Sequence, residues 1–238
     1  MRLGRPLVRG RLVRRYKRFL ADVVTDDGRE LTVHCPNSGS MLGLATPGAA
    51  VIISDSGNPK RKLLYTLERV RAGRTWVGVN TMIPNHLARE AVEKGRIPTV
   101  TGYANVRSEV VLEKGTRLDL HLSGCAPGSR SRPDCWLEVK SATLRIAEAI
   151  RFPDAVTERG RKHLDALRGV VARGERGVLL FVVNRGDGDF VAPADSIDPA
   201  YGDALRRAAA AGVEIIAHRA RMRGERTWLA ESVPVRLR

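Results

Sequence analysis

The hydrophobic pattern of this chain changes character once, between Thr81 and Pro84. Upstream of that point every apolar run is short and is stopped by turn residues. Strands are expected over 7–15, 20–24, 30–34, 50–54, 63–71 and 75–79. Asp26-Asp27-Gly28 and Ala72-Gly73 read as hairpin turns, Pro36-Asn37-Ser38-Gly39 as a loop, and Ser56-Gly57-Asn58-Pro59 as a break. So many short strands in so little chain suit a small closed sheet, and an OB-like β-barrel is the expected form.

Downstream the pattern alternates between helix and strand. A helix is expected over 85–94, with Asn85 as its N-cap and Gly95 just past its end. Strands follow over 106–114, 116–123 and 136–144, with a polar loop at 124–134. The next helix spans 157–173 and sets Leu164, Leu167 and Val171 on one face. The continuous apolar run 177–183 reads as a strand buried on both sides. Asp198-Pro199 opens a third helix that Gly212 closes, and strands are expected over 213–218 and 227–235. The order helix, three strands, helix, strand, helix, strand is α/β. The expected division is a barrel over 1–82 and an α/β domain over 83–238, with no internal repeat.

Charge narrows the partners. The chain has 41 Lys plus Arg against 26 Asp plus Glu, a net charge of +15, and 34 of the cations are Arg. An Arg fork binds phosphate oxygens bidentately, and an excess this large favours salt-sensitive association with a polyanion such as DNA. A GC-rich genome would also favour Arg over Lys, but it would not create the excess over acids. Positive charge is densest at the start, where the first eighteen residues hold eight cations and no acid.

Several classes are excluded. The longest apolar run, 178–183, is far too short for a membrane span, and no apolar segment follows the basic N-terminus, so a cytoplasmic location without a secretory signal is expected. Cys35, Cys125 and Cys135 cannot form a disulfide framework and are expected to be reduced thiols. His34-Cys35 lacks the paired spacing of a zinc site, so Cys35 reads as a small buried apolar residue. No phosphate-binding or dinucleotide glycine motif occurs, so no nucleotide cofactor is expected, and no nucleophile elbow is present. Nothing fixes the oligomeric state.

The sharpest constellation is Asp119 followed by Glu138-Val139-Lys140. Placed on neighbouring strands, Glu138 and Lys140 share a face by alternation and Asp119 can meet them across the pair. Two carboxylates can hold Mg²⁺ or Mn²⁺ against a phosphate, and Lys140 can neutralise developing charge. Glu109 is a candidate further carboxylate. The competing reading is a solvated strand with an ordinary Glu–Lys pair. Arg159, Lys162 and His163 fall on one helical turn and can meet a phosphate, or form a solvated helix face. In the barrel, Arg14, Arg15, Lys17 and Arg18 surround Tyr16 and Phe19, and Lys60-Arg61-Lys62 makes a basic loop tip. Cations with interleaved aromatics hold nucleic acid without reading its sequence. Tyr16 and Phe19 are equally readable as core.

Taken together, these segments resemble the sugar fermentation stimulation protein (SfsA) family over essentially the whole chain. The resemblance is carried by the run Arg15-Tyr16-Lys17-Arg18-Phe19-Leu20-Ala21-Asp22, by His34-Cys35-Pro36-Asn37 with Gly39 and Met41, and by Asn58-Pro59-Lys60-Arg61-Lys62. It continues through Val79-Asn80-Thr81, Arg117-Leu118-Asp119, Glu138-Val139-Lys140, and Phe152-Pro153-Asp154-Ala155-Val156-Thr157 with Arg159-Gly160 and Lys162-His163. It implies an N-terminal OB-fold, a C-terminal domain related to PD-(D/E)XK nucleases, DNA binding, and a regulatory role in sugar (maltose) utilisation. The departures are Ser38 in place of Thr, Asn184 in place of Gln, and a long Arg-rich loop at 124–134. Two functions stand open. One is a DNA-binding protein of low sequence specificity that regulates through a nuclease-like scaffold. The other is an active Mg²⁺- or Mn²⁺-dependent DNA nuclease using Asp119, Glu138 and Lys140. No helix-turn-helix signature is present.

Overall fold

Strand alternation builds the N-terminal half. In the computed structural model, which describes residues 1–3 and 6–238, six strands follow one another: β1 (Leu7–Tyr16), β2 (Leu20–Thr25), β3 (Glu30–His34), β4 (Ala50–Asp55), β5 (Tyr65–Ala72) and β6 (Thr75–Gly78). Gly4 and Arg5, the latter one of the eight N-terminal cations, lie outside the described residues. The sheet order is β3-β2-β1-β4-β5-β6. A parallel contact between His34 and Thr66 joins β3 to β5 and closes a five-strand barrel, with β6 added at β5. Alternate residues point inward, so Leu12, Ala21, Val23, Val33, Val51, Ile53, Leu67 and Val77 form one buried cluster with Cys35 and Met41. Cys35 is thus the buried apolar residue expected. Gly10 lets β1 cross tightly over β2, because a Cβ there would stand 2.5 Å from the Val24 carbonyl oxygen.

The second half is a sheet with helices on both faces. Its elements are α1 (Ile83–Glu93), a 3₁₀ turn (Pro98–Val100), β7 (Tyr103–Glu113), β8 (Thr116–Cys125), β9 (Cys135–Ala142), β10 (Leu144–Ile146) and β11 (Ala149–Phe152). Then come α2 (Glu158–Ala172), β12 (Arg176–Val183), β13 (Phe190–Pro193), α3 (Pro199–Ala210), β14 (Glu214–Arg223) and β15 (Arg226–Ser232). The main sheet runs β15-β14-β12-β9-β8-β7, with β9, β12 and β14 parallel. Strand β12 is buried on both sides, as its unbroken apolar run implied. Leu179, Phe181 and Val183 pack under Leu164, Leu167, Tyr201 and Leu205 of α2 and α3. Val178, Leu180 and Val182 pack on the other face with Leu87, Ala88 and Ala91 of α1. Full burial of a side chain such as Leu or Phe is worth about 1.5–3 kcal/mol, so this doubly covered strand is the main anchor of the domain. Among the described residues no helix is long and apolar enough to cross a membrane.

Several boundaries differ from the sequence reading for local reasons. Helix α1 begins at Ile83, with Pro84 in its first turn and Met82 at the cap, so Asn85 is not the N-cap. The expected strand 136–144 divides: β9 ends at Ala142, and β10 turns away into a small sheet with β11 and β13. Those three strands are too short to show a period. On α2 it is Val170, not Val171, that is fully buried. Thr157, read as the first helical residue, is the N-cap of α2 and accepts from the Gly160 amide at 3.1 Å, while Asp198 caps α3 as expected, accepting from the Tyr201 amide at 3.0 Å.

The two halves meet through motif residues. Ser40 Oγ donates to the Asp154 carbonyl at 2.7 Å, and the Met41 amide donates to the Asp154 carboxylate at 3.1 Å. A Cβ on Gly39 would stand 2.7 Å from that same carboxylate, which explains the glycine. On the other side, Arg69 donates to the Gly224 carbonyl at 2.9 Å and the Thr227 hydroxyl at 3.2 Å.

Candidate metal and nucleic-acid site

A break in the ladder makes the site. Strand β8 pairs with β9 only over Leu120–Leu122 and then diverges. Its partner β7 is paired at Ser108 with Leu120 and at Val110 with Leu118, but not at Glu109 with Asp119. Glu109 has a left-handed backbone, φ 54°. Alternation fails here: Leu118 belongs to the core under α2, whereas Leu120 belongs to the core under α1. The divergence would orphan the Val139 amide. Asp119 supplies the missing acceptor, taking that amide at 2.7 Å on Oδ2, while Asn85 Nδ2 donates to Oδ1 at 2.7 Å. Asn85, read from sequence as a cap, instead reaches from the first turn of α1 to hold this carboxylate. Burial pushes the Asp119 pKa up to about 6, helped by the nearby Glu138 charge and opposed by the Val139 hydrogen bond.

Glu138 sits on the α2 side of β9, 3% exposed. One of its oxygens, Oε1, takes Lys140 Nζ at 2.6 Å and also His163 Nδ1 of α2. The other, Oε2, is buried with no hydrogen-bond partner. Burial alone would raise the Glu138 pKa, but the His163 hydrogen bond and the Lys140 charge outweigh it and hold it below the ordinary carboxylate value. Arg159 Nε donates to His163 Nε2 at 3.3 Å, so the imidazole carries its proton on Nδ1, toward Glu138. The Tyr201 hydroxyl is also buried without a partner, and burial together with the Glu138 charge holds its pKa above the ordinary value.

The structure therefore brings Asp119, Glu138 and Lys140 into one cluster and adds Asn85, His163 and Tyr201. A buried carboxylate oxygen without a partner is costly, and Oε2 of Glu138, with Asp119 near enough to feel the Glu138 charge, offers hard oxygen donors of the kind that Mg²⁺ or Mn²⁺ takes. The residues present fit such an ion. Glu109 is exposed and pairs with Arg117 at 3.2 Å, and its charge also helps to raise the Asp119 pKa. Val111, Gly115, Thr116 and Arg117 of the β7–β8 hairpin face Glu158, Arg159, Lys162 and His163 of α2 across a cleft of about 570 Å³. Arg159 and Lys162 are exposed on that wall, whereas His163 is buried and turned to Glu138 rather than outward.

In the barrel, Lys17 and Arg18 form the exposed β1–β2 turn, with φ 49° and 62°. Phe19 beside them is 52% exposed, and Arg14 lies over the Tyr16 ring at 4.8 Å. Phe19 is therefore not core. Arg15 is turned inward, donating to the carbonyls of Arg18, Asn37 and Gly39 at 3.0, 2.7 and 2.9 Å. It shapes the Pro36–Met41 loop instead of facing a ligand. Lys60 and Lys62 are exposed and Arg61 is half-buried, within 3.4 Å of the Thr66 hydroxyl. A second group, His121, Asp134 and Glu175, also lies within 4.8 Å. Its carboxylates already face partners, His121 at 3.3 Å and the Trp136 indole at 3.0 Å.

Comparison with known proteins agrees along the whole chain. The family model described as "Sugar fermentation stimulation protein RE domain" matches residues 82–226, and "SfsA N-terminal OB domain" matches residues 13–79. The barrel is accordingly an OB domain. The sugar fermentation stimulation protein homolog of Geobacter sulfurreducens is 54% identical over 235 residues, covering 99% of this chain and 98% of the relative. Those of Geobacter metallireducens and Acidithiobacillus ferrooxidans are 53% and 50% identical, over 99% and 97% of this chain and the same shares of their own. Among solved structures, that of Pyrococcus furiosus SfsA in complex with Ca²⁺ has the same fold, with a TM-score of 0.87, 24% identity and 99% coverage of both chains.

Proposed function

Since the chain belongs to the sugar fermentation stimulation protein family, whose name records a phenotype and not a reaction, we propose that it binds DNA with little sequence preference and cleaves it with Mg²⁺ or Mn²⁺. The observation that carries this reading is that Glu138 bonds Lys140 on one oxygen and keeps the other buried and unpartnered, with Asp119 within reach of its charge. Asp119 and Glu138 would hold the ion, which lowers the pKa of a bound water and draws charge from a phosphate. The solved Pyrococcus furiosus SfsA is a complex with Ca²⁺, which is likewise an oxygen-seeking cation.

The chain's own groups do the positioning. Asn85 and the Val139 amide fix the Asp119 carboxylate. His163 and Lys140 load one oxygen of Glu138 and leave the other, which would hold the ion, without a partner. Lys140 Nζ keeps two further protons for charge developing on a phosphate. Arg117, Arg159 and Lys162 line the adjoining cleft and suit the phosphates on either side. The Lys17-Arg18-Phe19 turn and the Lys60-Arg61-Lys62 loop supply the unspecific hold on the strand.

A second reading, DNA binding without cleavage in the service of sugar (maltose) regulation, is favoured by the density of cations in the OB domain and by the family's description. One experiment separates them. Single-stranded, duplex and branched DNA are incubated with the protein and Mn²⁺, or with chelator. Cleavage that requires the metal supports the nuclease. Binding to all three with no cleavage of any leaves the second reading standing.

A further inference from the structure

A second cleft shares no lining residue with the one beside Glu138. It lies where the N-terminus, the end of α1 and the β14–β15 hairpin meet, encloses about 640 Å³, and is lined by Arg2, Lys94, Arg96, Arg223, Arg226 and Trp228 together with Glu90. Its arginines are in register. Arg2 bridges to Arg226 in an antiparallel contact, and Arg226 is paired with Arg223 across the hairpin. Residues directly opposite in a sheet project from the same face. Three guanidinium groups therefore stand side by side over three adjacent chain segments.

Like charges directly opposite destabilise a sheet. Arg2, Arg96, Arg223 and Arg226 are exposed and have no acidic partner among the described residues. The carboxylate in the cleft, Glu90, is already occupied by the N-terminal ammonium at 2.5 Å and by Lys94 at 2.5 Å. Trp228 lies two residues beyond Arg226 on the same strand, so it shares the face with the arginine row. It is half-buried, and no ring or guanidinium stacks on it among the described residues. A half-buried indole with no ring or guanidinium stacked on it, beside a row of forks, fits a ligand that is planar at one end and multiply anionic at the other. The volume is that of a small-molecule pocket.

We propose that this cleft binds a nucleotide, with phosphates on the Arg2–Arg226–Arg223 row and the base stacked on Trp228. The same chemistry is presented by a free nucleoside triphosphate and by one unit of a single strand. The site does not depend on the metal cluster, and it escaped the sequence reading because it carries no glycine-rich phosphate loop.

The test is calorimetric titration of the full chain, without metal, with thymidine triphosphate, inorganic triphosphate and a short oligothymidylate. The variants are Arg226→Glu, Arg223→Glu and Trp228→Leu, with Asp119→Asn as the control for the other cleft. Thermal melting checks that each is folded, and the two exposed arginines keep the test valid if the Trp228 variant is not. Thymidine triphosphate should bind wild type and Asp119→Asn equally, and each arginine variant about tenfold or more weakly. Trp228→Leu should lose about fivefold or more, the range of a base–aromatic stack, and only for ligands that carry a base. Tighter binding of the triphosphate assigns the free nucleotide, and tighter binding of the oligonucleotide assigns the strand. Affinity unchanged in both arginine variants, or lost only in Asp119→Asn, would overturn the site. Inorganic triphosphate bound as tightly as thymidine triphosphate would overturn the role of Trp228.

Discussion

Replacing Asp119 by Asn should change how the stability of the metal-free protein depends on pH. Folding raises the Asp119 pKa from its ordinary 3.8 to about 6. Between those values the folded state binds the extra proton, so stability falls as pH rises through that window. The shift corresponds to about 3 kcal/mol, complete once the pH is well above 6. Asn has no such titration. It also offers one acceptor to two donors, Asn85 Nδ2 and the Val139 amide, which costs about 1–3 kcal/mol at every pH. The variant should therefore be the less stable protein near pH 4 and gain about 3 kcal/mol on wild type by about pH 8. Carboxylates held below their ordinary values, such as Asp22 and Glu90, titrate alike in both proteins and cancel in the difference. Denaturant unfolding in chelator, at pH steps across this range, gives that difference directly. A flat difference, or one that moves against the variant as pH rises, would refute the buried, charge-crowded Asp119 on which the site rests. At saturating Mn²⁺ the order should reverse at neutral pH, because an ion bound only to the folded wild type adds about 2.7 kcal/mol at a hundredfold excess over Kd.

Lys140→Met should lower metal-dependent cleavage by about a hundredfold or more while DNA affinity in a gel-shift assay barely moves, since one preorganised charge is lost from the reacting phosphate. Lys60, Arg61 and Lys62 changed together to Ala should weaken binding to unrelated sequences alike and reduce the slope of log K against log salt by up to about 3. An unchanged slope would remove that loop from the interface. Gly39→Ala forces a Cβ against the Asp154 carboxylate, 2.7 Å away, and should lower stability by about 1–3 kcal/mol. A variant that melts with wild type would mean that the contact between the two halves yields freely.

Periodicity carried the long elements and the cores. The run Val178 to Val183 announced a doubly buried strand, and the turn signals at Gly28 and Gly73 placed the barrel hairpins. The strands β10, β11 and β13 stayed hidden because three or four residues hold no period. At the site, alternation correctly set Glu138 and Lys140 on one face. It could not foresee that β8 leaves β9 at Asp119, because the break coincides with an unpaired, left-handed Glu109 on a third strand and leaves no mark in the period of β8 or β9. The roles of Asn85 and Tyr201 depend on that break and on the packing of α3, neither of which leaves a local mark. Arg15 looked like its neighbours in a basic run, and only tertiary structure turns it onto the carbonyls of the Asn37–Gly39 loop. His163 likewise shares a helical turn with Arg159 and Lys162 but faces the core.

The central claim is that Asp119 and Glu138 share one divalent cation, and direct titration of Mn²⁺ into the full chain tests it. Bound ion should be followed by calorimetry or by loss of the free-Mn²⁺ resonance signal, without DNA. Wild type should bind at a single saturable site that weakens sharply in both Asp119→Asn and Glu138→Gln and persists in Arg226→Glu. Equal Mn²⁺ binding by wild type and the two carboxylate variants would contradict the account and remove the metal site from this protein.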